Sequence, residues 1–120
     1  MFEECEEIYI ENLTPHKIVV YDSAGERVIL EIEPSGKVAR VTTTQREIGR
    51  IKGVPIVKTE FGEVMDLPAP KKCTAYVVST LVLNALKGKR PDVIAPDTSP
   101  QSAVRDEEGR IKGIRRFQVV

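Results

Sequence analysis

Alternating apolar and polar residues in the first half of the chain predict short β-strands joined by turns. Ile8 and Ile10 begin the pattern, and residues 27–32 place Val28, Leu30 and Ile32 on one face. The predicted strands are residues 17–21, 27–32 and 37–43, with a further hairpin of two short strands turning at Lys52-Gly53. The turn formers at residues 22–25 join the first two of these strands into a hairpin.

A strand, a helix and a second strand are predicted after a connecting loop at residues 60–72. Residues 74–78 are almost continuously apolar, as in a strand buried on both faces. Ser79 or Thr80 is suited to cap the helix that follows, which ends near Gly88. Its predicted apolar side consists of Leu81, Val82, Ala85 and Leu86. Residues 93–95 form the second strand, and this order favours a parallel pairing with residues 74–78.

The end of the chain resembles another hairpin, with residues 103–105 and 110–119 on either side of a turn at residues 106–109. These elements predict an α+β fold of mainly antiparallel strands, in a curled or partly barrel-like sheet with one helix near residues 79–88. One domain spans residues 1–120, and residues 1–6 are expected to form a mobile acidic arm. The sequence Gly-Arg-Ile-Lys-Gly occurs at residues 49–53 and 109–113, either by duplication or by chance reuse.

The composition is that of a globular protein, with 41% hydrophobic and 30% charged residues. No apolar run approaches the ~20 residues that a membrane helix needs. The start of the chain lacks the basic and apolar segments of a secretory signal, so a cytoplasmic location is predicted. Asn and Gln are scarce while Lys, Glu and Arg are abundant, a balance reported for proteins of hyperthermophiles.

The two cysteines, Cys5 and Cys73, do not show the spacing of a metal site. Idle thiols are the expectation, because disulfides are rare inside cells outside hyperthermophiles. A disulfide between them is the alternative. Charge is also unevenly distributed, with nine acids and two bases in residues 1–33 and ten bases and five acids in residues 71–120. These regions either attract each other within the fold or present opposite charges to partners.

No motif in the chain specifies a reaction, a metal site or a cofactor. Ser79 lies between a strand and a helix, as hydrolase nucleophiles do, but the flanking glycines of such sites are missing. Any serine–histidine mechanism would have to use His16, the chain's one histidine. The basic clusters near residues 87–90 and 110–116 have few aromatic neighbours, so nucleic-acid binding is not expected.

A binding site for a small anion is predicted at the carboxyl ends of the two parallel strands, where α/β proteins commonly bind ligands. Arginines there would suit a carboxylate or phosphate. The alternative is that these arginines form structural salt bridges with Asp92, Asp97 or Asp106. The candidate ligand-binding residues are His16, Ser79, Thr80, Arg90, Asp97, Thr98, Arg105 and Asp106.

Several short segments resemble those of a group of small proteins from bacteria and phage-related genomes for which no activity is established. They are residues 12–16 (NLTPH), 53–55 (GVP), 61–64 (FGEV), 76–79 (YVVS), 90–93 (RPDV) and 104–111 (VRDxxGRI). The resemblance covers nearly the whole chain and implies a family but no reaction.

The absence of catalytic signatures favours a non-catalytic binding or structural accessory protein, of mobile-element origin if the resemblance holds. The alternative is a small enzyme, hydrolytic or acting on a phosphorylated or carboxylate metabolite, with its site in residues 79–106. The expected partner is a small anionic ligand or another protein, with no membrane, and a homo-oligomer is left open.

Overall fold

The structure, a computed structural model, describes residues 2–120. Its strands are β1 (Tyr9–Asn12), β2 (Ile18–Tyr21), β3 (Val28–Ile32), β4 (Arg40–Ile51), β5 (Val54–Met65), β6 (Thr74–Val77), β7 (Val93–Pro96), β8 (Ala103–Arg105), β9 (Ile111–Ile114) and β10 (Phe117–Gln118). The helix α1 (Thr80–Leu86) lies between β6 and β7. It is not a membrane-spanning helix, and the described residues contain no other that is long and apolar enough to be one.

The strands form two four-stranded sheets and one separate hairpin. The first sheet has the order β1-β6-β7-β10, in which β6 pairs in parallel with both β1 and β7. The second has the order β3-β2-β9-β8, in which β2 and β9 are parallel and the outer pairs antiparallel. The α+β class and the parallel β6–β7 pair are therefore confirmed.

The prediction of a mainly antiparallel, curled or partly barrel-like sheet is confirmed only in part, since four of the seven strand pairs among the described residues are antiparallel and three are parallel. Both four-stranded sheets are mixed, and among the described residues no sheet closes into a barrel. The two parallel pairs that were not predicted have a physical explanation. Parallel pairs such as β1–β6 and β2–β9 join strands that are far apart in the chain, and the alternation within one strand carries no information about a distant partner.

The middle strand β6 contributes to the apolar core on both of its faces. Tyr76 belongs to one buried cluster, together with Leu13 and residues of the helix. Val77 belongs to a second cluster with Val20 and Ile114 of the other sheet. Tyr76 and Val77 have no exposed surface, which explains why this segment is apolar without alternation.

The helix begins as predicted, but the predicted apolar side is partly wrong. Ser79 is its N-cap, and its Oγ accepts a hydrogen bond from the backbone N–H of Val82 at 3.2 Å. Leu81 is exposed, whereas Leu83 is buried in its place. At ~100° per residue, Val82 and Leu83 lie with Leu86 in one arc, and Leu81 lies outside it.

The hairpin of β4 and β5 is much longer than predicted. Two twelve-residue strands replace the predicted strand at 37–43, the short hairpin and part of the loop at 60–72. Lys52 and Gly53 form its turn with φ of 52° and 82°, the left-handed geometry of a tight hairpin turn. Only the base packs on the core, through Val41 and Val64. The alternation of apolar residues was a poor guide because most of this hairpin has no buried face.

The closing hairpin is present, but its second strand is divided. β8 and β9 pair around the turn at residues 106–109, whereas β10 crosses to the first sheet and pairs with β7. The repeated five-residue sequence has different positions in its two hairpins, because the first copy ends at the turn residue Gly53 and the second begins at the turn residue Gly109. This difference favours chance reuse.

Cys5 and Cys73 form a disulfide, so the expectation of idle thiols is wrong. Their Cα atoms are 5.7 Å apart, and the bond closes a segment with a sequence separation of 68. Next to the bond, the backbone N–H of Tyr9 donates to the carbonyl oxygen of Cys73 at 2.8 Å. The acidic segment at the start of the chain is thus attached covalently where β6 begins.

Candidate functional site

A cleft of about 590 Å³ lies where the carboxyl end of β6, the start of α1 and the end of β7 approach strands β2 and β9. Volumes of this order are usual for small-molecule sites. The lining residues are Thr14, Pro15, His16, Lys17, Ile18, Val19, Ser79, Thr80, Pro96, Thr98, Ile111, Lys112, Gly113 and Ile114. Four of the predicted site residues, His16, Ser79, Thr80 and Thr98, are therefore brought together.

The cleft combines an apolar interior with polar groups that are exposed. Ile18 and Ile114 are buried residues of its lining, whereas His16, Ser79, Thr80 and Thr98 are exposed. Among residues 2–120, no aspartate or glutamate lines the cleft, although the chain has eighteen. Its ionisable side chains are His16 and two lysines. An apolar pocket with a few donors and without acids suits a ligand that has an apolar body and an anionic head.

His16 is placed by a hydrogen-bonded turn that begins at the end of β1. The buried Asn12 side chain donates from Nδ2 to the carbonyl oxygen of His16 at 2.8 Å and to that of Ile32 at 3.2 Å. Its Oδ1 accepts from the N–H of Thr14 at 3.0 Å and from the Thr14 hydroxyl at 2.7 Å. Both ends of the amide are thus satisfied, so the turn holds the backbone of His16 at the cleft.

Ser79 and Thr80 reach the cleft because the chain leaves β6 and enters the helix there. The Ser79 oxygen caps the helix, and the Thr80 oxygen accepts from Nε2 of Gln118 at 3.4 Å. Within residues 2–120, no hydrogen bond joins the His16 side chain to Ser79. A serine needs an adjacent base to act as a nucleophile at neutral pH, so the observed arrangement is that of a cap.

Lys17 and Lys112 line the cleft, yet each also contacts another group. The Lys17 ammonium lies 3.1 Å from Glu31 and 3.4 Å from Glu33, and these two hydrogen bonds raise its pKa. The Lys112 ammonium lies 5.4 Å from the centre of the Tyr21 ring, within cation–π range. Lys112 therefore adds positive charge at the cleft, whereas the charge of Lys17 is balanced by Glu31 and Glu33.

Arg90 is not a lining residue of the cleft, because its guanidinium holds the buried carboxylate of Asp92 by two hydrogen bonds of 2.9 Å. It donates a third, of 2.9 Å, to the carbonyl oxygen of Pro68. The hydrogen bonds from Arg90 hold the pKa of Asp92 below its usual range despite burial, and raise the pKa of Arg90. For Arg90 the structure therefore has the salt bridge that was the alternative to a ligand site.

The other three charged candidates also make contacts outside the cleft. Asp97 accepts from Nε of Arg116 at 2.5 Å and from the N–H of Ser99 at 2.9 Å, and these bonds, that of Arg116 first, lower its pKa to about 2. Arg105 donates to the carbonyl oxygen of Gly109, and Asp106 accepts from the N–H groups of the turn that follows it. Thus the cleft contains no arginine fork for an anion.

Comparisons of the chain with family models, with curated proteins and with solved structures found no match. The resemblance to small bacterial and phage-related proteins stays a prediction.

Sequence reasoning missed the cleft residues that β2 and β9 contribute. Lys17, directly before β2, and Ile111 and Lys112 of β9 reach the cleft because β2 and β9 pair in parallel, with Val20 opposite Ile114. No local signal indicated that pairing. In the part of the chain that the structure describes, no group of three or more histidine, cysteine, aspartate or glutamate side chains is arranged to hold a metal ion.

Proposed function

We propose that this protein is a non-catalytic binding protein whose cleft takes a small ligand with an apolar body and a carboxylate or phosphate head. The observation that carries the proposal is the composition of the cleft, which has isoleucine, valine and proline walls, hydroxyl and imidazole donors, and no acidic residue from the part of the chain that the structure describes. Apolar contact would supply most of the binding free energy, and the donors would orient the anionic head.

The lining favours an anionic ligand, because such a ligand meets no carboxylate there. This matters because charged groups in a partly enclosed site interact more strongly than in water. An anionic head would meet the hydroxyl groups of Ser79, Thr80 and Thr98 and the imidazole of His16. A neutral ligand of the same length would gain the apolar contacts alone. The proposal therefore predicts that affinity depends on the head group.

Titration calorimetry with three probes of equal chain length tests this dependence. Octanoate and octyl phosphate are expected to bind the protein at least about tenfold more tightly than octanol, which corresponds to ~1.4 kcal/mol. Binding of octanol as tight as that of the two anions would contradict the anionic class. If none of the three probes binds, the ligand-binding proposal fails.

A matched pair of variants locates the binding site. Ile111→Glu puts a carboxylate into the lining of the cleft and is expected to weaken octanoate binding by at least about tenfold through like-charge repulsion. Leu81→Glu is the control, since Leu81 is 47% exposed against 44% for Ile111 and lies outside the cleft. Equal loss of binding in both variants would show that the probes bind elsewhere.

A second candidate function, hydrolysis, is favoured by one observation, the presence of His16 and Ser79 in the same cleft. Ser79→Asn removes the hydroxyl but keeps a side-chain oxygen that can cap the helix. With p-nitrophenyl acetate we expect no turnover above that of buffer for either protein. Turnover by the wild type that Ser79→Asn abolishes would establish the hydrolase and overturn the non-catalytic proposal.

A further inference from the structure

The outer part of the β4–β5 hairpin, residues 46–58, is an apolar surface without a partner in the described chain. Beyond its base, both strands are exposed, including Ile48, Ile51, Val54 and Val57. A two-stranded ribbon is only marginally stable in water by itself. Each of its strands also has a free edge of backbone N–H and C=O groups, because within the described residues β4 and β5 pair only with each other. Such an element is suited to pairing with another strand.

Strand β3 is a second open surface, at the edge of the sheet β3-β2-β9-β8. Val28, Ile29 and Leu30 are exposed along it, and no lysine or proline within the strand protects the edge. The carboxyl-terminal end of β3 is not free, since the Asn12 side chain donates a hydrogen bond to the carbonyl oxygen of Ile32. The free part of the edge is therefore the apolar segment Val28 to Leu30.

The two surfaces carry opposite charge. Residues 46–58 of the hairpin have four bases and one acid, whereas residues 26–33 around β3 have three acids and one base. Lys17 pairs with two of those acids and leaves the β3 surface net negative. On the hairpin, Lys52 and Lys58 have no ion-pair partner among residues 2–120.

Charge therefore decides between the ways in which these surfaces can meet. Two hairpins would bring together two positive ribbons, and two β3 edges would bring together two negative strands, so both arrangements are repulsive. A hairpin against a β3 edge joins apolar to apolar and basic to acidic. Complementary potentials of this kind select one partner and orientation over others.

We propose that the outer part of the β4–β5 hairpin in one copy of this chain docks along the β3 edge of a second copy by strand addition. The contact is heterologous, because the two copies use different surfaces, and it closes into a ring or dimer or continues as a chain of copies. It is independent of the cleft and goes beyond the proposed ligand binding.

Charge reversal of each surface is the test, with mass measured by sedimentation velocity at about 100 µM, where contacts of micromolar strength are occupied. The wild type is expected to form dimers or larger assemblies. Lys52→Glu with Lys58→Glu on the hairpin, or Glu26→Lys with Glu33→Lys at the edge, should each yield monomers. All four residues are exposed, so these changes leave the core intact.

Mixing the two charge-reversed proteins supplies the decisive result. Each hairpin then finds an edge of opposite charge in the other protein, so mixed assemblies should form although neither protein associates alone. The proposal is overturned by a monomeric wild type, by reversal that matters on only one of the two surfaces, or by a mixture that stays monomeric.

A second pair of variants tests the apolar part of the contact. Ile51→Ser with Val54→Ser should give monomers, since both residues are 63% exposed on the hairpin. Val119→Ser with Val120→Ser is the control at 65% and 64% exposure elsewhere on the chain and should associate as the wild type does. Equal behaviour of these two variants would contradict docking through the hairpin.

Discussion

Replacing both disulfide cysteines, Cys5→Ser with Cys73→Ser, is expected to lower the free energy of unfolding by about 4 kcal/mol. The bond closes a segment with a sequence separation of 68, and the chain-entropy relation for a loop of that length gives this value. The closed segment contains strands β1 to β5. Without the bond, the unfolded chain regains the freedom of all of them.

Thermal and denaturant unfolding measure this effect. A loss of this size lowers the melting temperature by roughly 10–16 °C for a chain of this length. The control is Cys5→Ser with Cys73→Gly, because Cys73 has a φ of 56°, where a non-glycine residue is strained. This control should recover up to about 1 kcal/mol. A loss below about 1 kcal/mol in the serine variant would show that loop closure contributes little.

Local features of the fold were predictable because their causes lie within a few residues. The hairpin of β2 and β3 follows from a β-branched run and an alternating strand on either side of a turn. Ser79 as a cap follows from a strand that ends where a helical pattern begins. These interactions do not depend on distant parts of the chain, so the neighbouring residues in the sequence are enough to predict them.

Interactions between distant segments could not be predicted in the same way. The parallel pairing of β2 with β9 brings Lys112 to the same cleft as His16. The residues next to either one in the sequence give no indication that the two lie close together. The length of the β4–β5 hairpin was missed for a related reason. Its outer part has no buried face within the chain, so it lacks the periodicity that burial produces.

The candidate site was predicted in part because the parallel pairing of β6 and β7 was predicted correctly. That pairing places Ser79 and Thr98 at the same cleft. For the arginines, the sequence left both a ligand site and structural salt bridges open, because a positive charge suits either role. Arg90 stands two residues before Asp92, and the short spacing favours the local ion pair that the structure contains.

Arg90→Ala is expected to destabilise the protein by about 3 kcal/mol at pH 7. The Asp92 side chain is 3% exposed, and that of Arg90 is 20% exposed. Removing one partner of a buried pair leaves an uncompensated charge in the interior, which typically costs about 3–5 kcal/mol. The matched control is Arg110→Ala, whose ion pair with Glu108 is on the surface and whose loss should cost less than about 1 kcal/mol.

The dependence on pH distinguishes this cause from a loss of packing. In the wild type the pKa of Asp92 is lowered by Arg90, so its stabilising contribution is complete above the ordinary aspartate pKa of about 4 and is lost as pH falls below it. In Arg90→Ala, burial opposes ionisation without compensation, and protonation of Asp92 at low pH relieves the penalty. The difference in unfolding free energy between the two proteins should therefore be largest near pH 7 and narrow below about pH 4. Arg90→Ala with Asp92→Asn should recover part of the loss at pH 7, and a difference that is the same at pH 7 and pH 3 would show that Arg90 acts through packing alone.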